Sequence, residues 1–150
     1  MPTSTPENFA LKQFHEFSRL ANYSPKSRQC GDNRIPINGN VYFQHGDLRV
    51  ELPTITIIVE VESSGGVTNL AKYWECYESN RINKPMKLIH LFRQKSSNDY
   101  ESHMVVWRML CKKMQIALPN KFEGHLMPYK DGSQESLGPA LELFNRWLSP

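Results

Sequence analysis

The sequence predicts a mixed α/β domain, an α+β arrangement in which helices cover a mixed sheet. Three observations predict it. Residues 45–62, HGDLRVELPTITIIVEVE, alternate apolar and polar residues as two successive strands do. Runs with helical periodicity lie before and after that stretch. A compact apolar strand, MKLIHLF at 86–92, then stands between two helical segments.

Length and composition frame this. A chain of 150 residues is expected to form a single domain over 1–150. A net charge of +3 permits a nucleic-acid partner without demanding one. Cys30, Cys76 and Cys111 are odd in number and far apart, which excludes a disulfide framework and a CxxC zinc site. No window reaches the roughly 20 apolar residues of a membrane span, and MPTSTPENF lacks the features of a signal peptide, so a cytoplasmic location with no membrane partner is expected.

The first helix is predicted from about Pro6 to Asn22. Ser4 or Thr5 caps it, Glu7 completes a capping box from Ser4, and Ala10, Phe14, Phe17 and Ala21 form its buried stripe. Glu16 lies at the edge of that stripe. YSPKSRQCGDNR follows as a polar loop, with Lys26, Arg28 and Arg34 as candidate contacts to a phosphate backbone. In RIPINGNVYFQ, Asn38-Gly39 marks a hairpin. After the two strands, SSGGVTN turns the chain into a helix from about Thr68 to Asn80, with Leu70, Trp74 and Tyr77 on one face. The strand at 86–92 places His90 in apolar surroundings. Asn98 or Asp99 caps a long helix from about Tyr100 to Ile116, with Trp107, Cys111 and Met114 on its core stripe and Lys112 and Lys113 outside it. FEGHLMPY is either a strand or irregular. Pro139 opens a last helix that packs Leu137, Leu141, Phe144 and Leu148 inward.

The pair of strands repays closer arithmetic. A loop centred on Pro53-Thr54 pairs Leu52 with Ile55, Val50 with Ile57 and Leu48 with Val59. All the apolar residues then share one face. A four-residue loop keeps this register, whereas an odd loop or a bulge shifts it by one. The other face collects His45, Asp47, Arg49, Glu51, Glu60 and Glu62, with Asp47 opposite Glu60 and His45 opposite Glu62. Like charges in direct opposition, roughly 5 Å apart, repel. A solvated face with Arg49 as ion-pair partner is one account of them. A cation between Asp47 and Glu60 is the other, and Glu51 lies too near the turn to join it.

Mg²⁺ suits such a place, because it takes one or two carboxylates and completes its shell with water and phosphate oxygens. The carbonyl of Val61 can add a ligand, and Glu62 can order a water. Ser63, Ser64, Gly65, Gly66 and Thr68 form a hydroxyl- and glycine-rich turn into a helix N-terminus, a pattern that suits phosphate. Lys72 can point back toward the acids, and His45 is a further candidate ligand or base.

At these residues the chain resembles the PD-(D/E)xK nuclease superfamily over about residues 6–93. Asp47 matches the Asp at the start of the second core strand. Glu60-Val61-Glu62 matches the (D/E)xK tripeptide, and Asn69-Leu-Ala-Lys72-Tyr73 is similar to a Gln-xxx-Tyr or Lys motif on the next helix. The resemblance implies a restriction-endonuclease-like core of a helix, three antiparallel strands, a helix and a strand, here with extra C-terminal helices. It implies Mg²⁺- or Mn²⁺-dependent hydrolysis of nucleic acid, DNA foremost. Asp47 and Glu60 would hold metal, and Glu62 and Lys72 would assist the attacking water. Glu16 and Asn69 are assisting candidates. A homodimer and a target-recognition partner protein are compatible with it. Glu62 stands where the family carries Lys; Lys72 can substitute, or the site is degenerate and the chain only binds nucleic acid or protein.

Overall fold

A computed structural model describes residues 5–62, 66–96 and 98–149, with Gln134 described by its backbone alone. Eleven elements follow in order. They are α1 (Pro6–Leu20), β1 (Lys26–Ser27), β2 (Arg34–Asn38), β3 (Val41–Gln44), β4 (Leu48–Glu51), β5 (Thr56–Glu62), α2 (Thr68–Glu78), β6 (Met86–Arg93), α3 (Glu101–Ala117), β7 (Phe122–Tyr129) and α4 (Gln134–Leu148). The main sheet has the order β1-β4-β5-β6-β7, and β2-β3 is a separate hairpin. β1 to β5 are joined antiparallel, whereas β5, β6 and β7 run parallel, linked by the α2 and α3 crossovers. The chain is thus a mixed α/β fold.

Register follows from the alternation. Leu48 pairs with Val59, Val50 with Ile57 and Glu51 with Thr56, and the Leu52 N–H meets the Ile55 carbonyl at 2.9 Å. The loop is therefore of the even kind. Leu48, Val50, Ile57 and Val59, with Ile89 and Leu91, pack against Ala10 and Phe14 of α1 and Leu141 and Phe144 of α4. Ile58, Leu88 and Phe92 face the other way, against Leu70, Tyr73 and Cys76 of α2 and Met104, Trp107 and Met114 of α3. The sheet is covered on both faces, as parallel strands require. β5 alternates direction with almost no exposed position, so its polar residues Glu60 and Glu62 lie inside the α2–α3 layer.

Several local expectations change. Thr5 caps α1, accepting from the Asn8 N–H at 3.2 Å; Ser4 lies outside the described residues. Lys26–Ser27 of the expected loop pairs with Leu48–Arg49. The hairpin turn falls on Gly39-Asn40, one residue later than Asn38-Gly39, because Asn38 pairs with Val41. Tyr73, not Trp74, is the aromatic enclosed beneath α2; Trp74 is half-buried and donates its indole N–H to Glu78. Asp99 caps the backbone of Lys95 and Ser96 rather than α3. FEGHLMPY is a strand. Pro139 does not open α4 but lies inside it. Ser133 is the cap and accepts from the Ser136 N–H, so the first helical turn precedes the proline.

Candidate active site

Asp47 stands just before β4, and its position depends on Gly46. Gly46 has φ +83°, and a Cβ there would stand 2.7 Å from Ile58 Cγ2. Only glycine takes that left-handed turn against the sheet without strain. The Asp47 N–H bonds the Val59 carbonyl at 3.0 Å, and Asp47 Oδ2 accepts from the Val61 N–H at 2.8 Å. The carboxylate thus takes a backbone donor at the point where the ladder ends. Its other oxygen forms an ion pair with Arg28 Nε. Asp47 is 4% exposed, whereas the Arg28 side chain is 63% exposed.

Glu60 is enclosed on the α2 side. Lys72 Nζ reaches its Oε2 at 2.7 Å, and the Tyr73 hydroxyl donates to the same oxygen at 2.6 Å. Lys72 also donates to the Gln44 carbonyl at 2.8 Å and to Asn69 Oδ1 at 3.3 Å. Burial pushes the Glu60 carboxyl up to about 7. The Lys72 charge works against that shift and the Asp47 charge adds to it. Burial, with the Glu60 charge, also pushes the Tyr73 hydroxyl well above its usual range, so it remains a donor. Glu62 accepts from Asn69 Nδ2 at 3.3 Å and faces His90 Nε2 at 3.4 Å.

The structure thus brings Asp47, Glu60, Glu62, Asn69 and Lys72 into one neighbourhood. It corrects other candidates. Glu16 is exposed and pairs with Arg19 at 3.7 Å; the acid of α1 that shares a groove with Asp47 is Glu7, nine residues earlier. Glu7, Lys12, His15, Arg28, Asp47 and Val61 line a groove of about 450 Å³. His45 does not stand opposite Glu62. The Gly46 turn carries it across the sheet toward Arg49, Glu51 and Thr56 at the other end of β5. Burial lowers its pKa to about 4, and Arg49 adds to that. Arg49 pairs with Asn33 Oδ1 at 2.8 Å and Glu51 at 3.5 Å instead of Asp47. Glu51 belongs to Thr56 and Lys84. Ser63, Ser64 and Gly65 lie outside the described residues. Thr68 is the first residue of α2, and open space surrounds the place of a Cβ at Gly66.

Three participants are visible in the sequence without the partners they take here. Tyr73 follows Lys72 and was legible only as a motif letter. Arg28 was one of several loop cations. His90 was assigned to the core, and its partner Trp107 lies 17 residues on.

Among the described residues, no three His, Cys, Asp or Glu side chains converge as a ligand group. The donor set of Asp47 and Glu60 fits a hard cation of the kind held by two carboxylates, with water and phosphate oxygens around it. Arg28 and Lys72 now hold those oxygens. Arg28 is on an exposed loop and can yield its place; Lys72 is enclosed. No helix is long and apolar enough to cross a membrane among the described residues. Comparison with protein-family models, curated proteins and solved structures gives no match.

Proposed function

We propose that the chain is a PD-(D/E)xK-type nuclease that hydrolyses phosphodiester bonds of nucleic acid, DNA foremost, with Mg²⁺ or Mn²⁺. One observation carries this reading: Lys72, from the helix after the strand, meets Glu60 at 2.7 Å, and the Asp47 charge is felt at the same carboxyl. An acid–acid–lysine set is thereby assembled although Glu62 occupies the usual lysine position. The specific restriction-endonuclease-like fold is part of the same proposal.

Asp47 and Glu60 would hold the cation, which when bound polarises the scissile phosphate and lowers the pKa of an attacking water. The Val61 carbonyl is the third candidate ligand on the strand. Lys72 places a fixed positive charge next to the acids, where negative charge grows on the phosphate as the bond breaks. Such preorganised charge typically contributes about 10²–10³ in rate. Tyr73 orients Glu60. Glu62 accepts a proton-bearing group and can hold the attacking water. The groove beside Asp47, with Lys12 and Arg28 on its walls, offers cationic groups to a phosphate backbone.

The test is cleavage of plasmid and single-stranded DNA by the purified protein with Mg²⁺, Mn²⁺ or EDTA. The expected result is cation-dependent cutting that falls at least ~100-fold in Asp47→Asn and in Lys72→Met. Failure of the folded wild-type protein to cut any substrate overturns it. A second reading is a non-catalytic binding module, with DNA or a target-recognition protein as partner. The ion pair of Arg28 on Asp47 favours it, since it already satisfies that acid from within the chain. Binding of DNA without cutting is its signature.

A further inference from the structure

Glu62 is backed by a line of side chains that the catalytic set above does not use. Trp107 on α3 donates its indole N–H to His90 Nδ1 at 2.8 Å. An indole nitrogen can only donate, so Nδ1 must be the acceptor and the ring proton must sit on Nε2. That nitrogen lies 3.4 Å from Glu62 Oε1 but forms no hydrogen bond among the described residues, so its buried N–H stands beside the carboxylate and a small rotation of either side chain would join them. His90 is fully buried, and burial lowers its pKa, so the ring is neutral with a single N–H. Asn69 completes the sequence. Its oxygen accepts from Lys72, which leaves its NH₂ for Glu62 Oε1 at 3.3 Å. Each formed bond has its direction fixed by chemistry: indole to imidazole, amide to Glu62, ammonium to amide and to Glu60, phenol to Glu60.

A buried histidine in an apolar strand is most simply a core filler. Here the polar chain crosses from α3 through β6 to β5, and apolar residues of the same volume would fill that space without any hydrogen bonds to satisfy. Its outcome is a carboxylate two residues from Glu60, on the same face, with the Asn69 amide bonded to it and the neutral His90 ring beside it.

We propose that His90, Trp107 and Asn69 are positioning residues that hold Glu62 as an acceptor beside Glu60, so that Glu62 orients the attacking water. The proposal rests on the hydrolytic reading above. The donors steer Glu62 without neutralising it, which an arginine or lysine in the place of His90 would do. Lys72 is left to serve Glu60 and the phosphate.

The experiment has two arms on the full chain. In the first, ¹⁵N NMR reads the His90 tautomer of wild type and Trp107→Phe between pH 6 and 8. The expected result is a neutral Nε2–H ring in wild type and a mixture of tautomers in Trp107→Phe. In the second, DNA cleavage compares His90→Leu with His90→Gln, whose amide can accept from Trp107 and donate to Glu62. A fall in kcat of at least tenfold in His90→Leu is expected, with KM within twofold, and recovery of at least half in His90→Gln. An Nδ1–H ring in an active wild-type protein overturns the relay alone. Equal kcat in wild type and His90→Leu overturns it too. An inactive wild type with the Nε2–H ring intact overturns the hydrolytic reading and, with it, the task assigned to Glu62.

Discussion

Replacing Glu60 with Gln isolates one electrostatic contest. Burial raises the Glu60 carboxyl to about 7 from an ordinary 4.5, with Lys72 opposing and Asp47 reinforcing. Between those two values the folded protein keeps a proton that the unfolded chain has released. Stability contributed by this proton is complete below pH 4.5 and is lost as pH rises toward 7. The interval corresponds to about 3 kcal/mol. Gln keeps an oxygen for Lys72 and Tyr73 but has no proton to lose. Urea unfolding of wild type and Glu60→Gln at steps from pH 4.5 to 8 gives the comparison, because other acids titrate equally in both. The wild type should lose about 3 kcal/mol relative to the variant across this range. Parallel curves would refute the reasoning. A wild type that gained stability with pH would show Lys72, not burial, to be dominant at Glu60.

Two further outcomes follow from the same geometry. Arg28→Ala removes the exposed cation from Asp47 and should tighten Mn²⁺ binding about threefold or more, measured by calorimetry; an unchanged or weaker affinity contradicts competition between Arg28 and the metal. Gly46→Ala forces a side chain into a left-handed turn and against Ile58, 2.7 Å from the new Cβ. It should cost about 2–4 kcal/mol in urea unfolding, and a loss under about 0.5 kcal/mol would mean that the turn has another solution.

The β4–β5 register was legible because alternation admits only one buried face, and a slip of one residue exposes all of it. That same logic stopped at Gly46, where a turn rather than a strand continues, and so His45 was placed at the wrong end of β5. Lys72 could be named because the resemblance to the PD-(D/E)xK superfamily implies a lysine on that helix, but no pattern rule says how far its flexible stem reaches. Trp74 and Tyr73 differ by one position, about 100° of helix rotation, and a pair of aromatics in sequence does not reveal which turns inward. Glu7 and Glu16 are nine positions apart, about half a rotation around α1, so periodicity puts them on opposite faces without saying which face borders the groove at Asp47. Trp107 and His90 meet through a crossover connection. Their hydrogen bond is a property of two elements brought together, absent from either one's own periodicity.

β7 is the outer strand of the sheet, beyond β6. An uncovered strand edge invites another chain to extend the ladder, and edges that avoid this carry charges or proline. β7 holds an exposed Pro128, which has no N–H to lend, and a Glu123–His125 pair 2.8 Å apart. A second copy laid along that edge would meet a gap in donors where continuous pairing needs one. Growth of the sheet from molecule to molecule along that edge therefore meets a built-in stop.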